Sequence, residues 1–213
     1  MTIRVLLVDD HAVMREGLRA LLGASAGISV VGGAGDGREA LRRAEELKPD
    51  VVVMDIAMPE LNGIEAAALI HERCPGTRIV ILSMHSSSEH IYRAFAAGAS
   101  GYVLKSSAGA EVIRAVQAVH VGRRYLSPVL REAYENTAQG TARASPLDSL
   151  SARERQVLQL VVEGKSSAEI ADVVHLSRKT VETYRSRIMK KLGVGDVPSL
   201  VKFALLQGIT PVA

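Results

Sequence analysis

Four charged side chains, each at the end of an apolar run, are the residues of this sequence best suited to chemistry. Asp9 and Asp10 follow one run, Asp55 ends a second that begins with Val51–Met54, and Lys105 ends a third. Three carboxylates close together raise one another's pKa unless a cation lies among them. Oxygen ligands suit Mg²⁺, which takes one or two carboxylates together with phosphate oxygens and water. A carboxylate beside Mg²⁺ with a lysine opposite can accept a phosphoryl group.

The elements that position these groups follow from the apolar periodicity of residues 1 to about 122. Each run has the length of a strand buried on both faces, and strands alternate with helical segments. The predicted strands lie near 3–8, 28–33, 50–55, 78–83 and 100–104, and the predicted helices near 12–23, 36–47, 62–74, 87–97 and 108–121. Five such units predict an α/β fold, a five-stranded parallel doubly wound sheet. The carboxyl ends of its strands meet at one edge, where ligands bind.

Length and composition set the broad class of protein. The chain has 213 residues, of which 47% are hydrophobic, which is enough for one large domain or two small ones. Its apolar runs are far shorter than the ~18 residues that span a bilayer, so no membrane association is expected. A strand that starts almost at once leaves no room for a signal peptide. Cys74 is the only cysteine, which excludes an internal disulfide and fits a cytoplasmic location.

The excess of positive over negative charge lies in the C-terminal third of the chain. Residues 147–213 contain ten Lys/Arg and seven Asp/Glu, whereas residues 1–146 contain 16 of each. Residues 123–146 include Ser-Pro and Gln-Gly steps with few large apolar groups, which indicates a linker in which a short helix at 128–136 fits the pattern. We therefore expect two domains with different partners.

The C-terminal region reads as wholly helical, with helices predicted at 151–163, 167–174, 178–192 and 196–207. Ser151 and Glu154 have the spacing of a capping box, and Ser177 can cap the third helix. That helix carries an inward apolar stripe of Val181 and Ile188, while its basic side chains project elsewhere. A helix, a tight turn and a basic helix together form the arrangement that places a recognition helix in the major groove.

These motifs together resemble the NarL/FixJ family of two-component response regulators over nearly the whole chain. Residues 1–122 look like a CheY-like receiver domain and residues 147–213 like a LuxR-type helix-turn-helix. The matching segments are Val8-Asp9-Asp10-His11, Met54-Asp55-Ile56-Ala57-Met58-Pro59, Ile81-Leu82-Ser83, Gly98-Ala99-Ser100-Gly101-Tyr102-Val103-Leu104-Lys105, Leu150-Ser151-Ala152-Arg153-Glu154, Ile170-Ala171 and Lys179-Thr180-Val181-Glu182-Thr183-Tyr184-Arg185.

The resemblance implies a role for each site residue of the first domain. Asp55 would be the phosphoacceptor, and Lys105 would pair with the phosphoryl oxygens. Mg²⁺ (or Mn²⁺) would be held by Asp10 directly, by Asp9 mainly through water, by Asp55 and by the Ala57 carbonyl. Ser83 would swing in to the phosphate and Tyr102 would follow inward. A new dianion forms charge-assisted hydrogen bonds, which supports these roles.

In the second domain the resemblance implies contacts to double-stranded DNA. The expected contact residues are Lys179, Thr180, Glu182, Thr183, Tyr184, Arg185, Ser186 and Arg187. A cognate histidine kinase would phosphorylate the chain, and a homodimer would form on phosphorylation. A stripe of the last helix (Val197, Leu200, Val201, Ala204 and Leu205) offers a dimer surface, although packing of that helix on its own domain also explains it.

Two departures and two alternatives bear on this interpretation. Ser106 follows Lys105 where a proline is common, and Glu182 stands where some relatives have a basic residue. Glutamate cannot bind phosphate, but it can accept a hydrogen bond from cytosine N4. One alternative is an aspartyl-phosphate hydrolase, which usually has a second aspartate at the position of Ala57. The other is a receiver domain that works without phosphorylation. The presence together of Asp9, Asp10, Asp55, Ser83 and Lys105 argues against it.

Overall fold

The central strands of the N-terminal unit are apolar on both faces because helices cover the sheet on both sides. The computed structural model describes residues 2–131, 134, 146–206 and 209. Five of the six residues of β1 (Ile3–Val8) and all five of β3 (Val51–Asp55) are buried. The other strands are β2 (Ile28–Ala34), β4 (Arg78–Ser83), β5 (Gly101–Leu104) and β6 (Tyr125–Leu126). Continuous apolar runs of this kind are typical of parallel sheets.

The sheet has the order β2-β1-β3-β4-β5-β6 within the described residues, and every pair is parallel. The predicted parallel doubly wound fold is therefore confirmed. The helices of this unit are α1 (Ala12–Gly23), α2 (Gly37–Leu47), α3 (Gly63–Arg73), α4 (Ser88–Ala96) and α5 (Ala108–His120). The strand order reverses between β1 and β3, and ligands bind outside the carboxyl ends of the strands at such a point.

Alternate residues of the strands face opposite layers of helices. Val5 and Val53 belong to a core shared with Leu22 of α1 and Val116 of α5. Neighbours such as Leu6 point to the other face and are also fully buried. On that face α2 packs against α3, and α3 against α4. Because both faces are buried, packing specifies the register of the central strands.

One strand was not predicted. Tyr125 and Leu126 pair with Gly101 and Tyr102 of β5, so the sheet has a sixth strand where the sequence indicated five and a linker from residue 123. Two residues are too short to show any periodicity, and their pairing depends on the exposed edge of β5. The helix predicted at 128–136 lies partly outside the described residues. Within that range, residues 128–131 and 134 are described and are helical.

Four α-helices lie in the described residues of the C-terminal unit and surround a core of its own. They are α6 (Ala152–Val162), α7 (Ser167–Val174), α8 (Arg178–Leu192) and α9 (Val197–Leu206). The core includes Leu158, Ile170, Val181 and Ile188, all fully buried. The chain divides into two compact units, and each has a separate hydrophobic core. No helix in the described ranges is both long and apolar enough to cross a bilayer.

Candidate functional site

Three carboxylates meet at the carboxyl edge of the sheet, as their positions at the ends of β1 and β3 predicted. Asp9, Asp10 and Asp55, together with His11, have ligand atoms that all lie within 4.8 Å of one another. The β1–β3 pairing places Val8 beside Met54, which brings the following residues of the two strands together. Asp9 and Asp55 are buried, at 1% and 3% exposure. The cluster is therefore a largely desolvated acidic site.

Lys105 joins two of these carboxylates. Its Nζ lies 2.7 Å from Asp55 Oδ2 and 2.9 Å from Asp9 Oδ2. Burial on its own would lower the pKa of Lys105, but the two carboxylates outweigh burial and raise that pKa above its usual value. The lysine is therefore held as a cation between the two acids.

The carboxyl group of Asp55 has a raised pKa. Burial raises its pKa to about 6; Lys105 opposes this, while the charge of Asp9 adds to it. The backbone N–H of Ala57 hydrogen-bonds to the Asp55 carboxylate and lowers the pKa slightly. The remaining excess of negative charge is what a divalent cation would neutralise, so the donor set fits Mg²⁺. The role of the Ala57 carbonyl as a ligand stays a prediction.

Gly63, the first residue of α3, lets that helix begin against the end of β3. A Cβ at this position would lie 1.9 Å from the Asp55 carbonyl oxygen, which no side chain can tolerate. The Gly63 N–H donates to the Ile56 carbonyl at 2.9 Å, and the Asn62 side chain caps the helix by accepting from Glu65 N–H. The backbone of Asp55 is thus held by direct contact with α3.

Ser83 and Tyr102 lie on the neighbouring strands and meet at the loop after β4. Ser83 is buried, and its Oγ accepts a hydrogen bond from His85 N–H at 2.9 Å. Tyr102 is fully buried, and its hydroxyl donates to the His85 carbonyl oxygen at 2.8 Å. Burial raises the pKa of Tyr102 to about 12. Tyr102 is therefore already turned inward in this structure, and both predicted switch residues contact the same short segment.

His11 interacts with the acidic pair in a way that the sequence only partly indicated. It occupies the N-cap position of α1, but its side chain makes no cap hydrogen bond. Its ring Nδ1 instead lies 2.8 Å from Asp10 Oδ1 and 3.2 Å from Asp9 Oδ1, and the charge of Asp10 is the main cause of its raised pKa. Adjacency to the acidic pair was the only signal for this contact.

The predicted recognition helix is α8. Ser177 Oγ accepts from Thr180 N–H at 3.1 Å, which confirms the predicted cap, and the chain turns at His175 between α7 and α8. Among the predicted DNA contacts, Lys179, Glu182, Thr183, Ser186 and Arg187 are exposed, whereas Thr180, Tyr184 and Arg185 are half-buried. Val181 and Ile188 face the core, as the apolar stripe indicated. The polar and basic face of α8 is therefore presented to solvent.

Several supporting contacts of α8 were not anticipated. Arg185 Nη1 donates to Ser167 Oγ of α7 at 2.7 Å, and Lys191 Nζ lies 2.6 Å from Glu154 Oε2 of α6. The predicted capping box of Ser151 and Glu154 is confirmed. A second capping box begins α7 at Ser166; its Ser-x-x-Glu signal was present in the sequence but was overlooked.

The apolar stripe of α9 serves its own domain more than the sequence suggested. Leu200 and Ala204 are fully buried in the C-terminal core. Val197 and Val201 are partly buried against the same core, and Leu205 is 43% exposed. The stripe as a whole is therefore not available to a second copy, because its centre is already covered.

Comparison with known proteins matches both units to families. Residues 5–117 match the model of the response regulator receiver domain. Residues 148–204 match that of the bacterial regulatory proteins of the luxR family.

Two relatives match this chain over most of their length. The chain is 39% identical over 209 residues to the transcriptional regulatory protein MctR of Rhizobium johnstonii, covering 97% of this chain and 95% of the relative. It is 42% identical over 193 residues to the DNA-binding transcriptional activator DevR/DosR of Mycobacterium tuberculosis, covering 90% and 89%.

Solved structures of response regulators are similar to this chain in fold. A LuxR-family two-component response regulator from Aurantimonas is 43% identical with a TM-score of 0.63, covering 65% of this chain and 99% of the other. The two-component response regulator RcsB in complex with DNA is 26% identical with a TM-score of 0.60, covering 99% and 100%. The chain therefore belongs to the two-component response regulators that join a receiver domain to a LuxR-type DNA-binding domain and regulate transcription.

Proposed function

We propose that this regulator is controlled by phosphorylation of Asp55. A cognate histidine kinase, or a small donor such as acetyl phosphate, would supply the phosphoryl group. The observation that carries the proposal is the bridge of Lys105 between Asp55 and Asp9, at 2.7 and 2.9 Å, inside a buried acidic cluster. A site of this kind combines a nucleophilic carboxylate with a cation at the position of the incoming charge.

The transfer needs little from the protein beyond positioning and charge. A carboxylate oxygen of Asp55 forms a bond to phosphorus as the bond from phosphorus to the donor nitrogen or oxygen breaks. Lys105 is placed to pair with the phosphoryl oxygens. Asp9, Asp10 and Asp55 would hold Mg²⁺ or Mn²⁺, together with the Ala57 carbonyl. When bound, such a metal would neutralise the charge that develops on the phosphoryl oxygens.

Ser83 and Tyr102 would carry the signal away from Asp55. The Ser83 hydroxyl, now an acceptor for His85 N–H, can turn to donate a hydrogen bond to a phosphoryl oxygen. Since Tyr102 is bonded to the carbonyl of the same His85, a shift of this segment changes the surroundings of the ring. The consequence would be a different receiver surface around α4 and β5.

In the DNA-binding domain, we infer that α8 enters the major groove. Glu182, Thr183 and Ser186 would face the bases, with Lys179, Tyr184, Arg185 and Arg187 contacting mainly phosphates and Thr180 lying at the start of the helix. The exposure of most of these residues on one capped helix supports this inference. Glu182 Oε1 is held by Arg178 Nε at 3.0 Å, an exposed pair that costs little to open.

Regulation would couple the two units. Phosphorylation relieves inhibition of the DNA-binding domain and promotes binding of a homodimer to a symmetric operator. We assign receiver function to residues 1–122, the linker to 123–146, apart from the β6 residues Tyr125 and Leu126, and DNA binding to 147–213. A cytoplasmic location belongs to the same proposal, because a transcription regulator acts where the chromosome lies.

Labelling with acetyl phosphate tests the phosphoacceptor. We expect one phosphoryl group per chain, only with Mg²⁺ or Mn²⁺, measured as a mass increase of the intact protein. Asp55→Asn should abolish it. Asp50→Asn is the matched control: it lies just before the same strand, its Oδ2 accepts from Arg4 N–H, and labelling should persist. Stable labelling of Asp55→Asn at another residue would contradict the assignment.

A fragment of residues 147–213 tests the regulatory part. If the receiver inhibits by masking, the fragment binds operator DNA without phosphorylation at least as well as the unphosphorylated full chain. If the fragment binds no better and phosphorylation still raises the affinity of the full chain, the receiver acts by driving dimerisation. Gel shift and analytical ultracentrifugation on the same samples separate the two outcomes.

A further inference from the structure

A basic pocket lies at the end of the receiver sheet opposite the acidic cluster. It has a volume of about 330 Å³ and is lined by segments that are far apart in the sequence, within 71–78, 95–100 and 122–124. Arg78 begins β4 and Ser100 precedes β5, whereas Ser83 and Leu104 end these strands at the edge that carries Asp55. The pocket is therefore separate from the phosphoacceptor site.

The charge of this pocket is strongly one-sided. Arg78, Arg123, Arg124 and His71 all contribute to its lining, and none of the described residues that line it is an aspartate or glutamate. Within the part of the chain that the structure describes, none of these three guanidinium groups forms an ion pair with a carboxylate. These three exposed arginines line one pocket in which no described aspartate or glutamate takes part, so an anion is the ligand that this arrangement favours.

The pocket is shaped by its backbone as well as by its charges. Gly98 has a φ of +93°, and a Cβ there would lie 2.3 Å from the His71 ring, so the glycine allows His71 to pack against the turn before β5. The guanidinium of Arg124 lies 5.4 Å from the centre of the Phe95 ring, which orients that cation. Thr77 is buried and donates to the Pro49 carbonyl at 2.8 Å. These contacts hold the pocket walls in place.

We propose that this pocket binds a small phosphorylated metabolite through Arg78, Arg123 and Arg124. Phosphate offers several oxygens to guanidinium groups that approach from different segments, and arginine matches them with paired N–H donors. A volume of about 330 Å³ is at the small end of ligand pockets, which suits a compact organic phosphate rather than a polymer. The proposal is independent of phosphorylation at Asp55.

Titration of the full chain followed by amide NMR tests this site directly. Inorganic phosphate, AMP and citrate are added separately at about 0.15 M salt without divalent metal, because the DNA-binding domain also attracts anions and only site-resolved signals distinguish the two. We expect saturating shifts of the Gly98, Ser100 and Gly122 amides with AMP, at least as tight as with inorganic phosphate and tighter than with citrate. Weaker binding of AMP than of inorganic phosphate, or equal binding of citrate, overturns the ligand class.

Substitutions locate the binding. Arg78→Gln combined with Arg124→Gln should weaken AMP binding about tenfold or more, since each charge-assisted contact is worth that order. Arg123→Gln alone gives a milder second variant with the same direction. Arg42→Gln is the matched control, an exposed arginine of α2 paired with Glu46, and should leave the titration unchanged. Undiminished shifts at Gly98 and Ser100 in both pocket variants would overturn the proposal.

Discussion

The hydroxyl of Tyr102 donates a hydrogen bond to the carbonyl oxygen of His85 across 2.8 Å, with the tyrosine ring completely buried. The backbone N–H of the same His85 donates to Ser83 Oγ at 2.9 Å. The segment after β4 is therefore tied to β5 through its carbonyl and to the end of β4 through its amide. Any movement of Ser83 towards a phosphoryl group must disturb a segment that Tyr102 also holds.

Tyr102→Phe keeps the buried ring and removes only this hydrogen bond. We expect labelling of Asp55 to continue at a similar rate, while the gain in DNA affinity on phosphorylation falls about fivefold, as for the loss of one hydrogen bond of about 1 kcal/mol. DNA titrations before and after treatment with acetyl phosphate measure that gain. An unchanged gain would show that the His85 contact does not transmit the signal.

Lys105→Ala separates the transfer from its consequence. We expect phosphorylation by acetyl phosphate to persist, because the carboxylates remain, whereas the increase in operator affinity falls about tenfold with the loss of a charge-assisted contact to the phosphoryl oxygens. Mass spectrometry and DNA titration on the same sample test both parts. Complete loss of labelling would show that Lys105 is needed for the transfer itself.

Gly63→Ala should damage the receiver through the backbone of Asp55. A Cβ would lie 1.9 Å from that carbonyl oxygen, so α3 or the end of β3 must shift, at a cost of about 2 kcal/mol or more. Gly17→Ala is the matched control, a glycine inside α1 with no atom within 4 Å of the added Cβ. It should stabilise by about 0.5–1 kcal/mol. Denaturant unfolding of the receiver measures the free energy of unfolding of both variants. Equal values for the two variants would contradict the prediction.

Basic and acidic residues of α8 should affect DNA binding in different ways. Lys179→Ala should weaken binding to all sequences and reduce the salt slope by about one. Glu182→Ala should relax the choice of base at one position by ~1–3 kcal/mol. Arg42→Ala, on α2 of the receiver, controls for the loss of one positive charge. Binding-site selection at two salt concentrations tests the division, and a uniform affinity loss from Glu182→Ala with unchanged base preference would contradict it.

The contact between Glu154 and Lys191 should make the DNA-binding domain sensitive to acid. Burial alone would raise the pKa of Glu154, but the hydrogen bonds from Lys191 and Ser151 hold it below its usual value. Since the folded-state pKa is below the unfolded value, the stabilisation is present at neutral pH and is lost as the pH falls through the folded-state pKa.

Glu154→Gln tests this dependence in a fragment of residues 147–213. It should lower the free energy of unfolding by about 1 kcal/mol at pH 7, since Lys191 is partly exposed to solvent. The difference from wild type should vanish at strongly acidic pH. Glu169→Gln, in the exposed capping box of α7, offers a comparison outside the core. A Glu154→Gln deficit that did not depend on pH would contradict the electrostatic account.

The main elements and the acidic site could be predicted from local pattern. Strands buried on both faces appear as continuous apolar runs, and the carboxyl ends of parallel strands share one edge. The convergence of Asp9, Asp10, Asp55 and Lys105 could therefore be predicted from the sequence, and the structure confirms it. The same holds for the caps at Ser151 and Ser177, because capping depends on residues only three positions apart.

Contacts between distant segments had no such signal. The sequence by itself determined which residues could reach the acidic edge, but only the tertiary structure decided that Lys105 pairs with Asp9 as well as Asp55. It also decided that Leu200 and Ala204 fill their own core, that β6 extends the sheet, and that three arginines share one pocket. Periodicity specifies the face of an element within a few residues. The partner of that face depends on how whole elements pack, which no local pattern encodes.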